Sequence, residues 1–487
     1  GGCMETSERA FFTRIKKAIT LNPFSRERLV VDLELAEMST AGSKAELFGK
    51  LNHRIENSIA KITERNRRAG KRLSPEDNKL FLYGFLFQTF YLYCDDYDRL
   101  IQEQLLHGVE SCTVSFAGEV IKRLTGFGFS RAEALRFFAL FFQMRRAFFF
   151  IEAIAGESAC VQELRMRLWN NVFTNNIEMY DTYLWNRMED FSSMLLGETG
   201  TGKGLAAAAI GRSGFIPFDE KMGCFSESFG KTFVSINLSQ FPEQLIESEL
   251  FGHRKGAFTG AIEPHKGIFS RCSPHGAIFI DEIGDVSIPV QIKLLQVLQE
   301  REFSPVGSHK KERFQGRVIA ATNQPLAAMR REGKFREDFY YRLCSDVIEV
   351  PPLRQRLDEN PGEIRVILSF IIKRILGRTS DELVEEIGRF IIENQPANYL
   401  WPGNIRELEQ CVRQILLHQS YTWQETEERN EDQFCGEIKE GKLTAHQLLA
   451  YYCKKLYNKL GTYEAVGRLV DLDRRTVKKY VKGETIL

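Results

Sequence analysis

The feature that most constrains this chain is a glycine-rich octapeptide at residues 197–204, Gly-Glu-Thr-Gly-Thr-Gly-Lys-Gly. An apolar run ending at Leu196 precedes it directly, and an alanine-rich segment, 205–209, follows it. Glycines let successive backbone N–H groups turn toward phosphate oxygens, and the N-terminus of a following helix adds a favourable dipole. The pattern therefore predicts a strand, a phosphate-binding loop and a helix, with Lys203 reaching the outer phosphates of a nucleotide.

We call residues 197–204 the phosphate loop, and we expect every residue in it to contact nucleotide: Gly197, Glu198, Thr199, Gly200, Thr201, Gly202, Lys203 and Gly204. The loop departs from the usual pattern at its last position. A serine or threonine commonly follows the lysine and supplies a hydroxyl to Mg²⁺, whereas this chain has Gly204. The predicted cofactors are nevertheless ATP and Mg²⁺.

A second candidate group lies about eighty residues further on, where the apolar run 278–280 ends in Asp281 and Glu282. An acidic pair after a strand is common and often begins a helix. Together with a phosphate loop, it predicts one carboxylate on Mg²⁺, Asp281, and one on the attacking water, Glu282.

The surrounding sequence predicts an α/β fold. Five short β-like runs alternate with helical segments, which favours a parallel sheet with helices on both faces. The runs are 191–196, 232–237, 277–280, 317–321 and 347–350. We expect this α/β region to cover residues 171–352 and to be followed by a small helical lid at 353–424.

Residues 1–170 have helical periodicity throughout and predict an all-α N-terminal regulatory domain. Many of the 37 phenylalanines fall here, and they recur at three- and four-residue steps between Phe137 and Ile151. Ser74 and Ser130 are predicted helix N-caps, the latter with Glu133 in a capping box. No chemical motif stands out, so the signal that would act on this domain is unknown from the sequence.

Several protein classes are disfavoured. The most apolar segment, 137–155, contains Arg145, Arg146 and Glu152 and cannot span a membrane. Lys16 and Lys17 interrupt the one candidate for a secretory signal. The ten cysteines form no CxxC pair and no zinc-site spacing with histidines. We therefore expect a cytoplasmic protein without a membrane partner.

The charge is unevenly distributed, although the whole chain has a net charge of only +1. An acidic linker at 425–440 carries a net charge of −5, and the tail at 441–487 carries +6. The tail predicts a helix–turn–helix whose second helix is basic and capped by Asp473. Arg474, Arg475 and Thr476 would face DNA bases, while Lys478, Lys479 and Lys482 would contact phosphates.

Residues 256–261 read Gly-Ala-Phe-Thr-Gly-Ala, and this complete hexapeptide resembles the sigma-factor-contacting loop of bacterial enhancer-binding proteins, the sigma-54-dependent transcriptional activators. The likeness covers about 171–424, an AAA+ P-loop ATPase domain, and the tail resembles Fis-type helix–turn–helix modules. It implies that sigma-54 is contacted by Gly256, Ala257, Phe258, Thr259, Gly260 and Ala261.

The resemblance also implies roles for other residues. Asn237 matches the asparagine that holds the catalytic glutamate, here Glu282. Thr322 and Asn323 match the first sensor, and Arg406 in the segment 401–408 matches the second, on the phosphate. Arg336 and Arg342 match arginine fingers, which a neighbouring subunit supplies in a closed ring, with six subunits as the expected number.

The resemblance implies that the chain binds upstream DNA and uses ATP hydrolysis to remodel the sigma-54 RNA polymerase complex. Two alternatives remain: another AAA+ remodelling ATPase, and a DNA-binding regulator with a vestigial ATPase. The sequence also departs from the family pattern in an insertion at about 216–231 and in residues 357–363.

Overall fold

The computed structural model describes residues 4–39, 44–69, 72–396, 399–423, 434, 436, 438, 441, 443–460 and 462–482. Two compact units divide the chain, one ending at Tyr421 and one beginning at Thr422. The predicted acidic linker, 425–440, lies almost wholly outside the described residues.

The described residues of the first unit form nine strands. In chain order they are β1 (Ser193–Leu196), β2 (Phe218–Asp219), β3 (Cys224–Phe225), β4 (Phe233–Asn237), β5 (Ala277–Asp281), β6 (Glu302–Phe303), β7 (Glu312–Arg313), β8 (Arg317–Thr322) and β9 (Asp346–Glu349). Five of them make one sheet in the order β4-β5-β8-β1-β9, and every neighbouring pair is parallel. The predicted α/β fold with a parallel sheet is confirmed.

The strand register gathers the predicted catalytic residues at one edge of the sheet. Asn237 pairs with Asp281, and Leu196, the last residue before the phosphate loop, pairs with Thr322. Because the strands are parallel, their carboxyl ends face the same side, and the loops that follow them meet there.

Helices cover both faces of the sheet and form the lid. Within the α/β part they are α10 (Lys203–Gly211), α11 (Glu243–Phe251), α12 (Ile268–Arg271), α13 (Ile288–Glu300), α14 (Leu326–Arg331) and α15 (Glu337–Leu343), and in the lid they are α16 (Leu353–Glu359), α17 (Glu363–Leu376), α18 (Asp381–Asn394) and α19 (Asn404–His418). One core of buried residues lies between β4, β5, β8 and the helices α11, α13 and α15.

The N-terminal region is helical, as the sequence predicts. Its helices are α1 (Thr6–Thr20), α2 (Arg26–Ala36), α3 (Lys44–Ala69), α4 (Pro75–Leu92), α5 (Cys94–His107), α6 (Ala117–Phe127), α7 (Arg131–Glu152), α8 (Ala159–Phe173) and α9 (Ile177–Met179). Ser74 caps α4, and Ser130 caps α7 with Glu133 in a capping box. Both predicted caps are confirmed.

A hydrophobic core continues from the N-terminal helices into the sheet. It contains Phe138 and Phe142 of α7 together with Leu195 of β1 and Ile319 of β8. The strands β2 and β3 lie in the 216–231 insertion and form a small antiparallel hairpin, which we call the insertion hairpin. Phe218 and Phe225 on this hairpin belong to the same core, so the insertion carries part of the contact between the two regions.

The second unit is a small helical module. Its described helices are α20 (Ala445–Leu460), α21 (Tyr463–Val470) and α22 (Arg474–Lys482). Cys453, Val466 and Val477, one from each helix, are fully buried together. Gly467 lies where a Cβ would come within 2.6 Å of the Leu472 carbonyl oxygen, so the close turn between α21 and α22 requires glycine. The predicted helix–turn–helix fold is confirmed.

Candidate functional site

The phosphate loop connects β1 to α10, and glycines shape it. Gly200 and Gly202 have φ angles of +81° and +103°, a region that side chains disfavour. A Cβ on Gly200 would also lie 2.2 Å from the Gly403 carbonyl oxygen of the lid. The N–H groups of Lys203 and Gly204 begin α10 and have no acceptor within the helix. Glycine is therefore required both for the turn and for the close approach of the lid.

Lys203 is buried, with its ammonium group folded onto the loop. Its Nζ donates hydrogen bonds to the Gly197 carbonyl at 2.8 Å and to the Glu198 carbonyl at 3.1 Å. Burial lowers the pKa of Lys203, and the nearby Glu282 and Asp281 carboxylates oppose that shift. The ammonium group is thus enclosed by the loop that would hold the phosphates.

Glu198 joins the phosphate loop to the lid. Its carboxylate forms an ion pair with Arg354 at 2.6 Å and accepts a hydrogen bond from the Asn404 side chain at 3.1 Å. The hydrogen bond from Arg354 holds the pKa of Glu198 below its usual range. Asn404 also donates to the Thr199 carbonyl, and the Ile405 N–H donates to the Gly200 carbonyl at 3.0 Å. The beginning of α19 and Arg354 of α16 together fix the loop.

Asp281 is the last residue of β5, and Glu282 follows it directly. Burial raises the pKa of Asp281, while Lys203 acts in the opposite direction. Burial and then the neighbouring Asp281 raise the pKa of Glu282. Glu282 has a φ of +58°, unusual for a residue with a side chain and typical of functional sites. No cluster of three or more metal-ligating side chains lies within the described ranges. Asp281 is a carboxylate in this site that could hold Mg²⁺.

Three predicted polar residues lie at the carboxyl ends of the neighbouring strands: Asn237 and Thr322 are the last residues of β4 and β8, and Asn323 follows β8. The Asn323 amide donates to the Thr199 hydroxyl at 2.9 Å, which links the residue after β8 directly to the phosphate loop. Thr322 is fully buried and accepts from the Gln324 N–H. Asn237 lies beside Asp281 in register, but its Oδ1 accepts from the backbone and hydroxyl of Ser239.

The predicted arginines divide into two groups. Arg406 acts electrostatically on both Lys203 and Asp281, so it belongs to the site within this chain. Arg336 instead pairs with Asp338 at 2.7 Å, and Arg342 donates two hydrogen bonds to the Leu298 carbonyl. Arg342 also forms an ion pair with Asp190 at 3.6 Å, so the contacts described for these two side chains lie outside the phosphate loop.

The hexapeptide 256–261, which we call the hexapeptide loop, is a compact turn between two paired segments. The backbones of His253 and His265 pair at its base, and the Gly256 N–H donates to the Ala261 carbonyl at 2.8 Å. Gly256 and Gly260 have φ angles of +78° and +101°. Phe258 is 37% exposed and its ring lies edge-on to His253, at 4.9 Å between centroids.

Some contributors were not among the predicted site residues. Arg354 and Asn404 fix the phosphate loop, and His253 supports the hexapeptide loop through Ser248, at 2.6 Å, and the Glu263 carbonyl, at 3.0 Å. Asn404 lies within the 401–408 segment, only two residues from Arg406, and this proximity in sequence could have identified it as a site residue. Arg354 and Glu198 are 156 residues apart, and no local pattern connects them.

In the helical tail, the predicted basic surface lies on α22. Asp473 accepts hydrogen bonds from the Arg475 and Thr476 N–H groups and thereby caps the helix. Arg475, Lys478 and Lys479 are exposed, whereas Thr476 is half-buried. Arg474 is exposed too, but it forms an ion pair with Glu464 of α21 at 3.0 Å.

Residues 174–349 match the protein family described as the Sigma-54 interaction domain. The Nif-specific regulatory protein of Azotobacter vinelandii is 42% identical over 224 residues, which are 46% of this chain and 39% of that protein. The sigma54-dependent transcriptional activator SfnR of Pseudomonas putida is 41% identical over 226 residues, 46% of this chain and 57% of that protein.

Among solved structures, NtrX of Brucella abortus in complex with ADP aligns with 77% of this chain and 81% of its own, at 20% identity and a TM-score of 0.41. The chain spans from about two fifths to somewhat over half of the length of the two curated relatives. Within the described part of the chain, every helix is too short or too polar to cross a membrane.

Proposed function

Because residues 174–349 match the Sigma-54 interaction domain and the chain resembles bacterial enhancer-binding proteins, we propose that the whole chain is an ATP-driven activator of sigma-54-dependent transcription. It would bind DNA upstream of a promoter, hydrolyse ATP and act on the sigma-54 RNA polymerase complex. The observation that carries the proposal is the meeting of Lys203, Asp281 and Asn323 at one edge of the sheet, in the domain that also bears the hexapeptide loop.

The proposed chemistry begins with ATP in the phosphate loop. Its phosphates take the N–H groups at the start of α10, and Lys203 exchanges its bonds to the loop carbonyls for phosphate oxygens. Asp281 would hold Mg²⁺, whose charge would offset that of the phosphates. Glu282 would orient and polarise the attacking water. Asn323, bonded to Thr199 of the phosphate loop, and Arg406, which acts electrostatically on Asp281, would respond to the phosphate that leaves.

Arg336 and Arg342 would complete the site of a neighbouring subunit. Both side chains are at least one-third exposed, and neither contacts the phosphate loop of its own chain in the described contacts. A heterologous interface that repeats around an axis closes into a ring, and a hexamer is the size we propose. A finger supplied in this way contributes about 10³–10⁵ in rate.

The hexapeptide loop would transmit the cycle to sigma-54. Phe258 is partly exposed, and Ile262 directly after the loop is 77% exposed, so the turn presents apolar groups to a partner. The backbone pairing of His253 and His265 holds the base of the loop together. The loop would therefore move as a unit when the residues at the ends of β4 and β5 change position. The exposed basic residues of α22 would bind the upstream DNA.

The test is transcription in vitro from a sigma-54 promoter with its upstream region, using the full chain, sigma-54 RNA polymerase and ATP. We expect transcripts with wild-type protein and with the control variant Lys221→Ala. The Lys221 side chain is exposed and lies outside both the phosphate loop and the hexapeptide loop. Lys203→Ala should lose both ATP turnover, by about 100-fold or more, and transcription.

The outcome also separates the alternatives. ATP hydrolysis without any effect on transcription would favour another AAA+ remodelling ATPase. DNA binding and a regulatory effect that both persist in Lys203→Ala would favour a regulator with a vestigial ATPase. Either result would contradict the proposed function.

A further inference from the structure

The N-terminal helices line an open cavity of about 1010 Å³. Aromatic and aliphatic side chains from α3, α4, α7 and α8 form much of its wall, among them Phe90, Phe137, Phe141, Met144, Phe148 and Trp169. Ligand sites in proteins are typically concave and mainly apolar, with volumes of about 300–1,000 Å³. The cavity therefore has the size and the lining of a small-molecule site.

The cationic side chains at the wall are already paired. Arg28 forms an ion pair with Asp32 at 2.9 Å, and both are buried. The other two cations of the lining, Lys79 and Arg145, pair with Glu178 and Asp98. An anionic ligand would thus find its counter-charges occupied and would lose its hydration without compensation.

One polar atom at the wall stands out. The Oδ1 of Asn52 is buried and has no hydrogen-bond partner within the described part of the chain. Buried acceptors are normally satisfied, so this oxygen favours a ligand that carries a hydrogen-bond donor. The size, the apolar lining and the unsatisfied Asn52 oxygen together favour a mainly apolar small molecule that carries a hydrogen-bond donor.

Helix α7 connects this cavity to the C-terminal end of α10, the helix that follows the phosphate loop. On one side of the helix, Phe137, Phe141 and Met144 line the cavity. On the other side, Gln143 donates to the Ser213 carbonyl at 2.9 Å, and the fully buried Arg146 donates to the carbonyls of Arg212 and Gly214, at 2.6 and 2.7 Å. These carbonyls lie at the end of α10, the helix that begins at Lys203.

We propose that this cavity binds a neutral, mainly apolar small molecule with a hydrogen-bond donor, and that its occupancy changes ATP turnover through α7 and α10. The second part rests on the proposed function, whereas binding itself does not. A molecule that displaces α7 must also move Gln143 and Arg146, because both lie on the same helix as the cavity wall. The carbonyls that accept their hydrogen bonds lie just after the C-terminal end of α10. The N-terminus of the same helix presents the phosphate-binding N–H groups.

The test uses two fluorescent probes of the same skeleton. N-phenyl-1-naphthylamine is neutral and has an N–H donor, and 1-anilinonaphthalene-8-sulfonate adds a negative charge. With the full chain, we expect the neutral probe to bind once per chain, to raise the melting temperature and to bind about tenfold more tightly than the sulfonate. Equal binding of both probes, or no saturable binding of the neutral one, would overturn the proposal.

Two variants locate the site. Met144→Trp should occupy part of the cavity and weaken probe binding by about a hundredfold or more, while Met222→Trp, at an exposed position of the insertion hairpin, should bind as wild type does. Asn52→Leu should weaken binding about fivefold while the protein still melts cooperatively. Wild-type affinity in a folded Met144→Trp protein would place the probe elsewhere and overturn the proposal, and unchanged affinity in Asn52→Leu would overturn the donor requirement.

ATP turnover measured with and without the neutral probe tests the link through α7. We expect a change of about fivefold or more in wild type, and no response to the probe in Met144→Trp. Binding without any change in turnover would overturn the link. If the chain hydrolyses no ATP under any condition, that result contradicts the proposed function instead. The binding and melting measurements would still test whether the cavity binds the probe.

Discussion

Phe138 of α7 stacks on Phe225 of the insertion hairpin, with the ring centroids 5.7 Å apart and the planes 9° from parallel. Phe138 is fully buried and also meets Phe218 edge-on at 4.9 Å. The insertion that departs from the family pattern is therefore part of the contact between the N-terminal helices and the sheet.

Phe138→Ala should destabilise the protein by about 3–5 kcal/mol, because it removes a buried ring and leaves a cavity at this contact. Urea denaturation followed by circular dichroism measures the change. The control is Phe191→Ala, since Phe191 is 40% exposed and its loss should cost about 1 kcal/mol or less. Equal effects of the two substitutions would mean that the stacked rings contribute little.

Thr259→Ala should separate ATP hydrolysis from transcription. Thr259 lies in the exposed turn of the hexapeptide loop, away from the residues that hold the nucleotide. We expect turnover within about twofold of wild type and a loss of sigma-54-dependent transcripts of at least about tenfold. The exposed Thr379→Ala is the matched control and should leave both unchanged. Normal transcription by Thr259→Ala would refute the assigned contact.

Arg342→Ala should lower ATP turnover by about 10³ if the arginine serves a neighbouring subunit. Mixing this variant with Lys203→Ala then gives a sharper measurement. Some interfaces in mixed rings combine an intact phosphate loop from one subunit with an intact Arg342 from the next, so turnover should rise above that of either variant alone. A mixture that stays as inactive as its components would argue against a finger supplied between subunits.

The double variant Lys478→Ala/Lys479→Ala should weaken binding of the full chain to a duplex of about 30 base pairs, largely independently of its sequence. If each lysine neutralises one phosphate, the slope of log affinity against log salt should fall by about two. Fluorescence anisotropy over a salt series measures it. Lys221→Ala/Lys310→Ala makes the same charge change at exposed positions outside the tail and should keep the wild-type slope. An unchanged slope in the tail variant would remove α22 from the DNA interface.

Local chemistry explains which parts of the fold were predictable. The apolar runs at 277–280 and 317–321 became β5 and β8, because buried parallel strands consist of such runs. Ser130 and Asp473 cap helices as expected, since capping depends on residues within one turn. The phosphate loop was identifiable because its function depends on glycine spacing within eight residues.

Long-range contacts were not predictable in this way. The strands of the insertion hairpin have two residues each, too few to show a period-two pattern. Arg146 was taken from the sequence only as a charge that excludes a membrane span. In the fold it is a buried donor to two carbonyls at the end of α10, which depends on residues more than sixty positions away.

The shared core has a practical consequence for protein engineering. Regulatory regions are often exchanged by joining two proteins at a boundary in the sequence, and residue 171 would be the natural junction here. A chimera made at that point would keep Phe218, Phe225 and Phe229 while losing the α7 rings that cover them. A transplant of this N-terminal region should therefore carry residues 216–231 with it. The aromatic rings of α7 and those of residues 216–231 would then come from the same protein and pack as they do here.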